Sequence, residues 1–337
     1  MNPRPVLVAP DKFKGTFSAA EVADAVADGL TRIDVSADIC RIADGGEGTI
    51  DVVREVVEGE LTEVEAVDAL GNPANARVLV FENGDSALVE VSDAIGLAQI
   101  PHQRRDAVAA SSAGAGQLIA GAAALGVRDL FVGIGGTATT DGGAGALELM
   151  RDARLIGKRG PLKRCPRLTV LCDVRAAWEQ ASTVFSPQKG ASAEQVKLLS
   201  MRMDEFARTL PSDPRGKLMT GSGGGLSGGL WAAADAALKS GAGWVLDQVG
   251  FNPRMTSARA VITGEGSLDR QTLLGKAVGE VATRARQSGV PCHAIVGQMG
   301  MTEFDARILD FESWTDATTL DAISTAAAAL GGQLAPR

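Results

Sequence analysis

The sequence is poor in residues on which many binding and catalytic sites depend. Among its 337 residues there is no tyrosine, there are only two histidines, and aromatic residues total 4%. So few aromatic rings provide no stacking platform for single-stranded nucleic acid. The net charge of −8 at pH 7 also argues against broad contact with a phosphate backbone. We therefore expect no nucleic-acid partner, and because His102 and His293 are not paired with Cys or Asp at metal-binding spacing, histidine-based catalysis is disfavoured.

Cysteines and long apolar runs are scarce as well. Four cysteines, Cys40, Cys165, Cys172 and Cys292, lie far apart with no C-x-x-C pair. This spacing excludes a recognisable zinc ribbon and disfavours a disulfide framework in a chain of this length. No run approaches the roughly 18 apolar residues that span a bilayer, and the N-terminus lacks the features of a signal peptide. We expect a cytoplasmic protein without membrane contact.

The order of the predicted elements indicates an α/β fold. Residues 6–9 read as a short buried strand, and a helix is predicted from Ser18, with Glu21 at the capping-box spacing. A second strand is predicted over 39–43, followed by a helix over 49–57. The repeated succession of strand, loop and helix is typical of doubly wound α/β proteins.

The middle of the chain differs in character from its two ends. Residues 61–92 carry strand-like runs with few helix signals, and a small-residue helix is predicted over 107–125. The α/β alternation returns in the last third. We therefore predict a Rossmann-like (flavodoxin-like) parallel-sheet domain built from both chain ends, residues 1–60 and 256–337, with a second α/β domain inserted over 61–255.

Three glycine-rich segments containing carboxylates are the most informative feature present. Residues 133–145, which we call the threonine loop, hold six glycines, three threonines and Asp141. Residues 43–49 and 263–269 have a similar composition. Because glycine costs backbone entropy, such clusters indicate close approach of the backbone to something else. Backbone amides and hydroxyls bind phosphate oxygens and carboxylates bind metal ions, so the pattern predicts a phosphate-and-metal enzyme.

Charged residues recur at the same topological place, just beyond predicted strands. The carboxylates there are Asp11, Asp44, Glu47, Asp141, Asp173, Glu265 and Asp269, and the lysines in or beside these loops are Lys12, Lys14, Lys189 and Lys276. Carboxyl ends of parallel strands are where α/β folds bind ligands. Any one of these carboxylates alone is better explained as a turn or N-cap residue, and it is their recurrence at the same topological place that favours a site. Phosphoryl transfer needs cations around the transferring group, and Mg²⁺ needs one or two carboxylates.

The common nucleotide fingerprints do not match. Residues 223–228 formally fit G-x-G-x-x-G, but the segment before them is a poor strand. Lys276 does not lie in a Walker A loop, because Arg270 stands where the first glycine belongs and Ala277 where Ser or Thr belongs. A dinucleotide-dependent dehydrogenase remains a distant alternative.

Taken in order, the motifs resemble those of the bacterial two-domain glycerate kinase family. The segments that carry the resemblance are VLVAPDKFKGTFSAAEVADAV, IADGGEGT, GIGGTATTDGGAGAL, CDV, FSPQKGAS and ITGEGSLDRQTLLGK. They span residues 6 to about 297, nearly the whole chain. Each segment is moderately specific, and the ordered set is strongly so.

The resemblance implies a kinase that phosphorylates glycerate, or a related short hydroxy acid, with ATP and Mg²⁺, in many members at the 2-hydroxyl. We also expect a monomer or homodimer. The catalytic residues we expect are Lys14 and Lys189 on the substrate carboxylate or the phosphates, and Asp44, Glu47 and Asp173 on the hydroxyl or the metal, with Asp44 and Asp173 as metal ligands. The residues we expect to bind ATP are Gly135, Gly136, Thr137, Thr139, Asp141, Gly142, Gly264, Glu265, Asp269 and Lys276.

The chain departs from the family pattern in several places. After CDV, residues 174–181 lack the family's Asn-Pro-Leu and its glycine turn, and the stretch is shorter. Thr140 replaces the family's usual Asn, and residues 151–167 and the region after Thr319 are also abbreviated. These departures motivate a second hypothesis, a catalytically weak or silent ligand-binding protein that keeps the fold.

Overall fold

A computed structural model describes residues 4–13, 15–269, 272 and 276–334 of the chain. The strands are β1 (Val6–Val8), β2 (Ala37–Ile39), β3 (Gly59–Val67), β4 (Pro73–Phe81), β5 (Ser86–Glu90), β6 (Asp129–Gly133), β7 (Ile156–Gly157), β8 (Gly160–Pro161), β9 (Arg167–Cys172), β10 (Ala237–Ser240), β11 (Ala260–Thr263), β12 (Cys292–Val296) and β13 (Ser313–Asp316). The α-helices are α1 (Ala19–Thr31), α2 (Thr49–Arg54), α3 (Ser92–Ile95), α4 (Ala113–Ala124), α5 (Ala144–Asp152), α6 (Gln180–Thr183), α7 (Ala193–Ala207), α8 (Leu226–Ala234), α9 (Gly241–Gln248), α10 (Phe251–Ser257), α11 (Ala277–Ser288), α12 (Glu303–Leu309) and α13 (Leu320–Leu334).

The chain divides into two compact units. Unit 1 comprises Met1–Asp44 and Val245–Arg337, and unit 2 comprises Gly45–Trp244. The boundaries predicted from the sequence, at 60/61 and 255/256, lie further along the chain. The difference has a local cause at α2, since Glu90 of unit 2 accepts hydrogen bonds from the backbone N–H groups of Gly48 and Ile50.

Unit 1 contains a five-stranded sheet in which every neighbouring pair is parallel, in the order β2-β1-β11-β12-β13. This is the flavodoxin-like strand order of doubly wound folds. Val6, Val8 and Ile262 from the sheet share one buried apolar core with Val22 of α1 and Ile323 of α13. The predicted Rossmann-like sheet built from both chain ends is therefore confirmed.

Unit 2 contains a six-stranded sheet in the order β10-β9-β6-β5-β4-β3. The strands from β10 to β5 run parallel, and β4 and β3 continue the sheet as an antiparallel pair. The strand-like runs predicted within 61–92 correspond to β3, β4 and β5. The prediction of a second α/β layer in the middle of the chain is confirmed.

Several predicted element limits move, and local hydrogen bonds explain why. The capping box of α1 is present as expected, with Ser18 and Glu21 bonded reciprocally. The helix predicted over 107–125 begins only at Ala113, because the side chain of Asp106 accepts the N–H groups of Val108 and Ala109 and holds a turn there.

The second strand is displaced from its predicted position over 39–43. It is β2, and it pairs with β1 from Val6↔Ala37 to Val8↔Ile39. Because β1 is only three residues long, the ladder ends at Ile39. Residues 40–43 therefore follow β2 as a loop.

The remaining global features concern cysteines and helices. All four cysteines are free. Burial raises the pKa of Cys40 and Cys165 to about 11 in each case, so these thiols are protonated at neutral pH. Among the helices of the described residues, none combines the length and apolarity needed to cross a membrane.

Candidate active site

The carboxyl edge of the unit 1 sheet gathers acidic side chains, as the parallel topology requires. Asp11 follows β1, Glu265 follows β11, and Asp44 lies in the loop after β2. The backbone N–H of Asp11 donates to the carbonyl of Gly264 at 2.8 Å, which ties the loop after β1 to the loop after β11. These three carboxylates therefore lie beyond the ends of strands, where the sequence predicted them.

Asp11 is the most perturbed of these carboxyl groups. Its side chain is 7% exposed, and its pKa is raised to about 7, first by burial and next by the negative charge of Asp44. Lys12 acts in the opposite direction through its charge and through its N–H, which lies 2.7 Å from Asp11 Oδ1. A cation placed beside Asp11 and Asp44 would relieve this repulsion.

Lys276 lies between two of the predicted ligand-binding acids. Its Nζ is 3.6 Å from Glu265 Oε2 and 3.8 Å from Asp269 Oδ1. Glu265 is buried, and burial raises its pKa, while the charge of Lys276 opposes the rise. Lys276 is also the N-cap residue of α11, so this ammonium group lies at the start of a twelve-residue helix.

Two predicted residues of this unit remain to be placed. Lys14 lies outside the described residues. Gly264 is needed for packing, since a Cβ there would lie 1.9 Å from the carbonyl oxygen of Ile295. The structure thus supplies a reason for Gly264 that involves the neighbouring strand β12 and no ligand.

In unit 2 the threonine loop follows β6, and its glycines allow other loops to pack against it. A Cβ on Gly135 would lie 2.8 Å from Cα of Gly46, and one on Gly142 would lie 2.6 Å from the ring of Trp178. A Cβ on Gly224 would lie 1.8 Å from the carbonyl oxygen of Thr139. The close approach predicted for these glycines is therefore an approach of one loop of unit 2 to another.

Gly136 is different from its neighbours in this respect. Its φ is +75°, and the nearest atom to a Cβ placed there is Ser92 Cβ at 3.8 Å. There is thus open space beside the backbone at Gly136, whereas neighbouring residues fill that space at Gly135 and Gly142. Of the glycines predicted in this loop to bind phosphate, Gly136 is the one whose surroundings leave room for a ligand.

Asp141 uses both carboxylate oxygens in hydrogen bonds to the protein. Oδ2 accepts from the N–H and hydroxyl of Ser112 at 2.9 and 2.7 Å and from the N–H of Gly145 at 3.2 Å, and Oδ1 accepts from the N–H of Gly143 at 3.0 Å. These amides belong to the N-terminal ends of α4 and α5, which have no intrahelical partners. The contacts favour a helix-capping role for Asp141 over the predicted role in cofactor binding.

Lys189 enters the threonine loop from a single 3₁₀ turn, Pro187–Lys189. Its Nζ donates to the carbonyl of Thr139 at 2.6 Å and lies 3.5 Å from Thr137 Oγ1. Burial lowers its pKa to about 8, and the charges of Asp173 and Asp141 oppose that effect. The ammonium group is thus positively charged at neutral pH and lies against the predicted phosphate loop.

Hydroxyl groups and a further carboxylate complete this edge of the unit 2 sheet. Asp173 follows β9, and its Oδ1 accepts the hydroxyl of Ser222 at 2.6 Å. The hydroxyl oxygens of Thr139 and Thr140 are buried and have no hydrogen-bond partner among the described residues. Glu47, the remaining catalytic candidate, is exposed between Gly46 and Gly48. The structure brings Asp173, Lys189 and the threonine loop to one sheet edge.

One residue of this edge was missed from the sequence. Glu90 ends β5 and is fully buried. Its pKa is raised to about 7, chiefly by burial, and the N–H groups of Ile50 and Gly48 oppose the rise. A lone acid at the end of an apolar strand was the available signal, but its burial depends on packing that periodicity does not show.

The acidic and lysine side chains described above fit Mg²⁺ that is bound to the phosphates of ATP. Within the described ranges, no three acidic, histidine or cysteine side chains are grouped as a preformed metal cage. Mg²⁺ bound to phosphates needs only one or two carboxylates and keeps several waters. In unit 1, the repulsion between the charges of Asp11 and Asp44 and the ammonium group of Lys276 suit a complex of this charge. In unit 2, the ammonium group of Lys189 suits a phosphate or a carboxylate.

Comparison with known proteins decides the family. The model of the glycerate kinase family matches residues 6–161 and 150–330. The chain belongs to the glycerate kinase family. A glycerate kinase of Haemophilus influenzae is 35% identical over 321 residues, covering 86% of this chain and 85% of the relative. The glycerate 2-kinase of Escherichia coli K12 is 31% identical over 325 residues, with 87% and 85% covered.

A solved structure agrees with this assignment. The crystal structure of a protein from Salmonella typhimurium LT2, provisionally named glycerate kinase 2, matches with a TM-score of 0.77 at 30% identity. The match covers 99% of this chain and 98% of the other. Family membership and fold together identify the chain as a kinase.

The shortened stretch after Asp173 is well packed. Val174, Ala176 and Trp178 are buried, and the carbonyl of Ala176 accepts the N–H of Gly221 at 3.0 Å. The departure from the family pattern therefore leaves a folded segment against the site. It supplies no support for a disrupted pocket in unit 2.

Proposed function

We propose that the chain transfers the γ-phosphoryl group of ATP to the 2-hydroxyl of glycerate, giving 2-phosphoglycerate and ADP. The observation that carries the proposal is the match, over most of both chains, to relatives named glycerate kinase and glycerate 2-kinase. The placement of lysines and carboxylates beyond the carboxyl ends of parallel strands in both sheets supports it. In the reaction the hydroxyl oxygen bonds to phosphorus, the bond from that phosphorus to the bridging oxygen of ADP breaks, and the hydroxyl proton is lost.

We propose that the lysines bind the anionic groups of the two substrates. Lys189 would bind the substrate carboxylate or a phosphate, since its ammonium group lies against the threonine loop. Lys14 is proposed for the same task. Lys276, next to Glu265 and Asp269, would meet the nucleotide phosphates at the start of α11. Such pre-positioned cations stabilise the charge that develops during phosphoryl transfer.

Carboxylates would orient the acceptor and hold Mg²⁺. We propose Asp44 and Asp173 as metal ligands, with Asp11 beside Asp44, and Glu47 as a residue that orients the hydroxyl. When bound, Mg²⁺ neutralises phosphate charge and aligns the phosphates. Oδ1 of Asp173 accepts the hydroxyl of Ser222 at 2.6 Å, which orients this carboxylate. We further propose a cytoplasmic monomer or homodimer.

A substrate panel tests the proposal. ADP release would be measured with Mg·ATP and, in turn, D-glycerate, L-glycerate, tartronate and other C3–C4 hydroxy acids. We expect turnover with glycerate that requires Mg²⁺. Absence of turnover with every member of the panel would overturn the proposal.

The alternative, a silent ligand-binding protein, is separated by titration calorimetry. A silent protein binds glycerate or ATP without consuming ATP, whereas the proposed kinase consumes it in the same cell. The packed segment around Trp178 does not favour this alternative.

A further inference from the structure

We infer that Glu90 is a positioning residue of this kinase: its carboxylate fixes the turn formed by residues 45–48, which carries Glu47. The inference rests on the proposed function only in so far as Glu47 acts in the reaction. Its geometric basis lies entirely within unit 2. Glu90 touches neither substrate nor metal in this account, and it acts through the backbone of the turn.

The first observation is the pair of hydrogen bonds. Glu90 Oε2 accepts the N–H of Gly48 at 3.0 Å, and Oε1 accepts the N–H of Ile50. Gly48 is the N-cap residue of α2, with φ of +94°, and no side chain caps this helix locally. The first amides of a helix lack intrahelical acceptors, so Glu90, forty residues away in sequence, supplies the missing cap.

The second observation is an ion pair that joins α2 to the neighbouring strand β4. Arg77 of β4 lies 2.9 Å from Asp51 of α2 and 2.9 Å from Asp93 of α3. The helix is therefore connected to the sheet through Glu90 at its start and through Arg77 along its length. Two charged side chains thus fix the position of a helix that is only six residues long.

The third observation is the tight seat of the turn itself. A Cβ on Gly45 would lie 2.7 Å from Cα of Gly241, and one on Gly133 would lie 2.6 Å from the carbonyl oxygen of Gly45. Gly46 lies equally close to Gly135. The turn is thus packed at Gly45 and Gly46 and hydrogen-bonded at Gly48, with Glu47 between these two anchors.

Burying the Glu90 carboxylate costs free energy, which argues against an incidental role for this residue. Glu90 is fully buried, and a buried carboxylate must be compensated by strong hydrogen bonds. An isosteric Gln would fill the same space but could accept only one of the two amides through its single carbonyl oxygen. A residue that only filled space would tolerate that change.

The experiment compares Glu90→Gln with Asp68→Asn. Asp68 is a control for the loss of a carboxylate charge elsewhere in unit 2. At the turn between β3 and β4 its Oδ1 accepts the N–H groups of both Leu70, at 2.8 Å, and Asn72, at 2.9 Å, so the single carbonyl oxygen of Asn can keep both bonds. Amide hydrogen exchange and steady-state kinetics would be measured for both variants. Glu90→Ala serves as a stronger truncation, and Glu90→Gln remains informative if that variant fails to fold.

For Glu90→Gln we expect exchange over residues 45–54 to rise at least about tenfold, with other segments unchanged. We also expect kcat to fall about tenfold while both KM values stay within about twofold, as for lost alignment of a transition-state group. In a double-mutant cycle, Glu90→Gln should cost little more once Glu47→Gln is present. Asp68→Asn, which can keep both amide bonds through its carbonyl oxygen, should leave exchange over residues 45–54 and kcat unchanged.

Three results would overturn the inference. They are unchanged exchange over 45–54 in Glu90→Gln, raised exchange with wild-type kcat, and equal losses of kcat in Glu90→Gln and Asp68→Asn. Failure of the wild type to phosphorylate glycerate would instead count against the proposed function. The exchange comparison would then still decide whether Glu90 holds the turn.

Discussion

Carboxylates occupy the sheet edges of both units, but their surroundings differ. In unit 1, burial and the charges of Asp44 and Glu265 raise the pKa of Asp11, and burial and the charge of Asp269 raise the pKa of Glu265, while Lys12 and Lys276 oppose these effects. In unit 2, Asp141 and Glu90 each accept backbone amides at the start of a helix. The first arrangement gains from an added cation, whereas the second is satisfied within the protein. Carboxylates at equivalent topological positions thus differ in their hydrogen bonding: the pKa of Asp11 in unit 1 is raised by neighbouring carboxylates, whereas Asp141 and Glu90 in unit 2 accept backbone amides.

The largest effect is expected at Asp44. Asp44→Asn should lower kcat by at least about 100-fold, the order expected when a group aligned in the transition state is lost, at about 3 kcal/mol of barrier. Because Asp44 lies in a loop, the midpoint of thermal unfolding should change little. The ADP-release assay and thermal denaturation check both points. The same loss is predicted for Lys14→Ala, whose residue lies outside the described ranges.

Asp141 should show the opposite behaviour. Asp141→Ala removes the acceptor of four hydrogen bonds to Ser112, Gly143 and Gly145. We expect the free energy of unfolding to fall by about 3 kcal/mol, since buried amides lose a charged acceptor. Urea denaturation measures this loss. Wild-type stability combined with abolished activity would return Asp141 to the cofactor-binding role predicted from the sequence.

Glu90 gives a pH-dependent test of the same contrast. Its pKa is 4.5 in the unfolded chain and about 7 in the folded protein, a difference worth about 3 kcal/mol. Since the folded pKa is the higher one, this stabilising contribution is complete below pH 4.5 and is lost as pH rises through 7. Relative to wild type, Glu90→Gln should therefore be less destabilised at pH 8 than at pH 4.5.

The charged groups that act on Glu90 are Arg77 and Asp93, with Asp51 in contact with Arg77. Asp11 contributes a slope of the same sign, so the quantity to compare is the difference between variant and wild type. Denaturation at several pH values between 4 and 8 measures it. A pH-independent difference would contradict the raised pKa.

The smallest change in stability is expected at Gly136. The methyl group added by Gly136→Ala has open space around it, but the residue must keep φ near +75°. This strained backbone conformation lowers the free energy of unfolding by about 1 kcal/mol. If phosphate lies against this backbone, kcat/KM should nevertheless fall about tenfold or more, because the added methyl occupies the ligand's place. Kinetics and urea denaturation of one preparation check the pair of effects. A variant with unimpaired kinetics would remove Gly136 from the phosphate site.

Sequence reasoning succeeded where local signals and topology act together. The capping box at Ser18 and Glu21 is local, and the edge position of Asp11, Asp44 and Glu265 follows from strand order alone. The sequence does not show which atoms surround a glycine. Gly142, which packs against Trp178, and Gly136, which has open space beside it, therefore received the same prediction. Sequence reasoning missed Glu90, and it placed the first domain boundary after α2, because both depend on contacts between residues about forty positions apart.

The central claim is that this family member phosphorylates glycerate at its 2-hydroxyl, and phosphorus NMR of the reaction mixture tests it most directly. Wild-type protein, Mg·ATP and D-glycerate should yield ADP and an equal amount of 2-phosphoglycerate, identified by its coupling to the proton on C2. A spectrum that shows 3-phosphoglycerate, or ATP left intact by folded protein, would contradict the account.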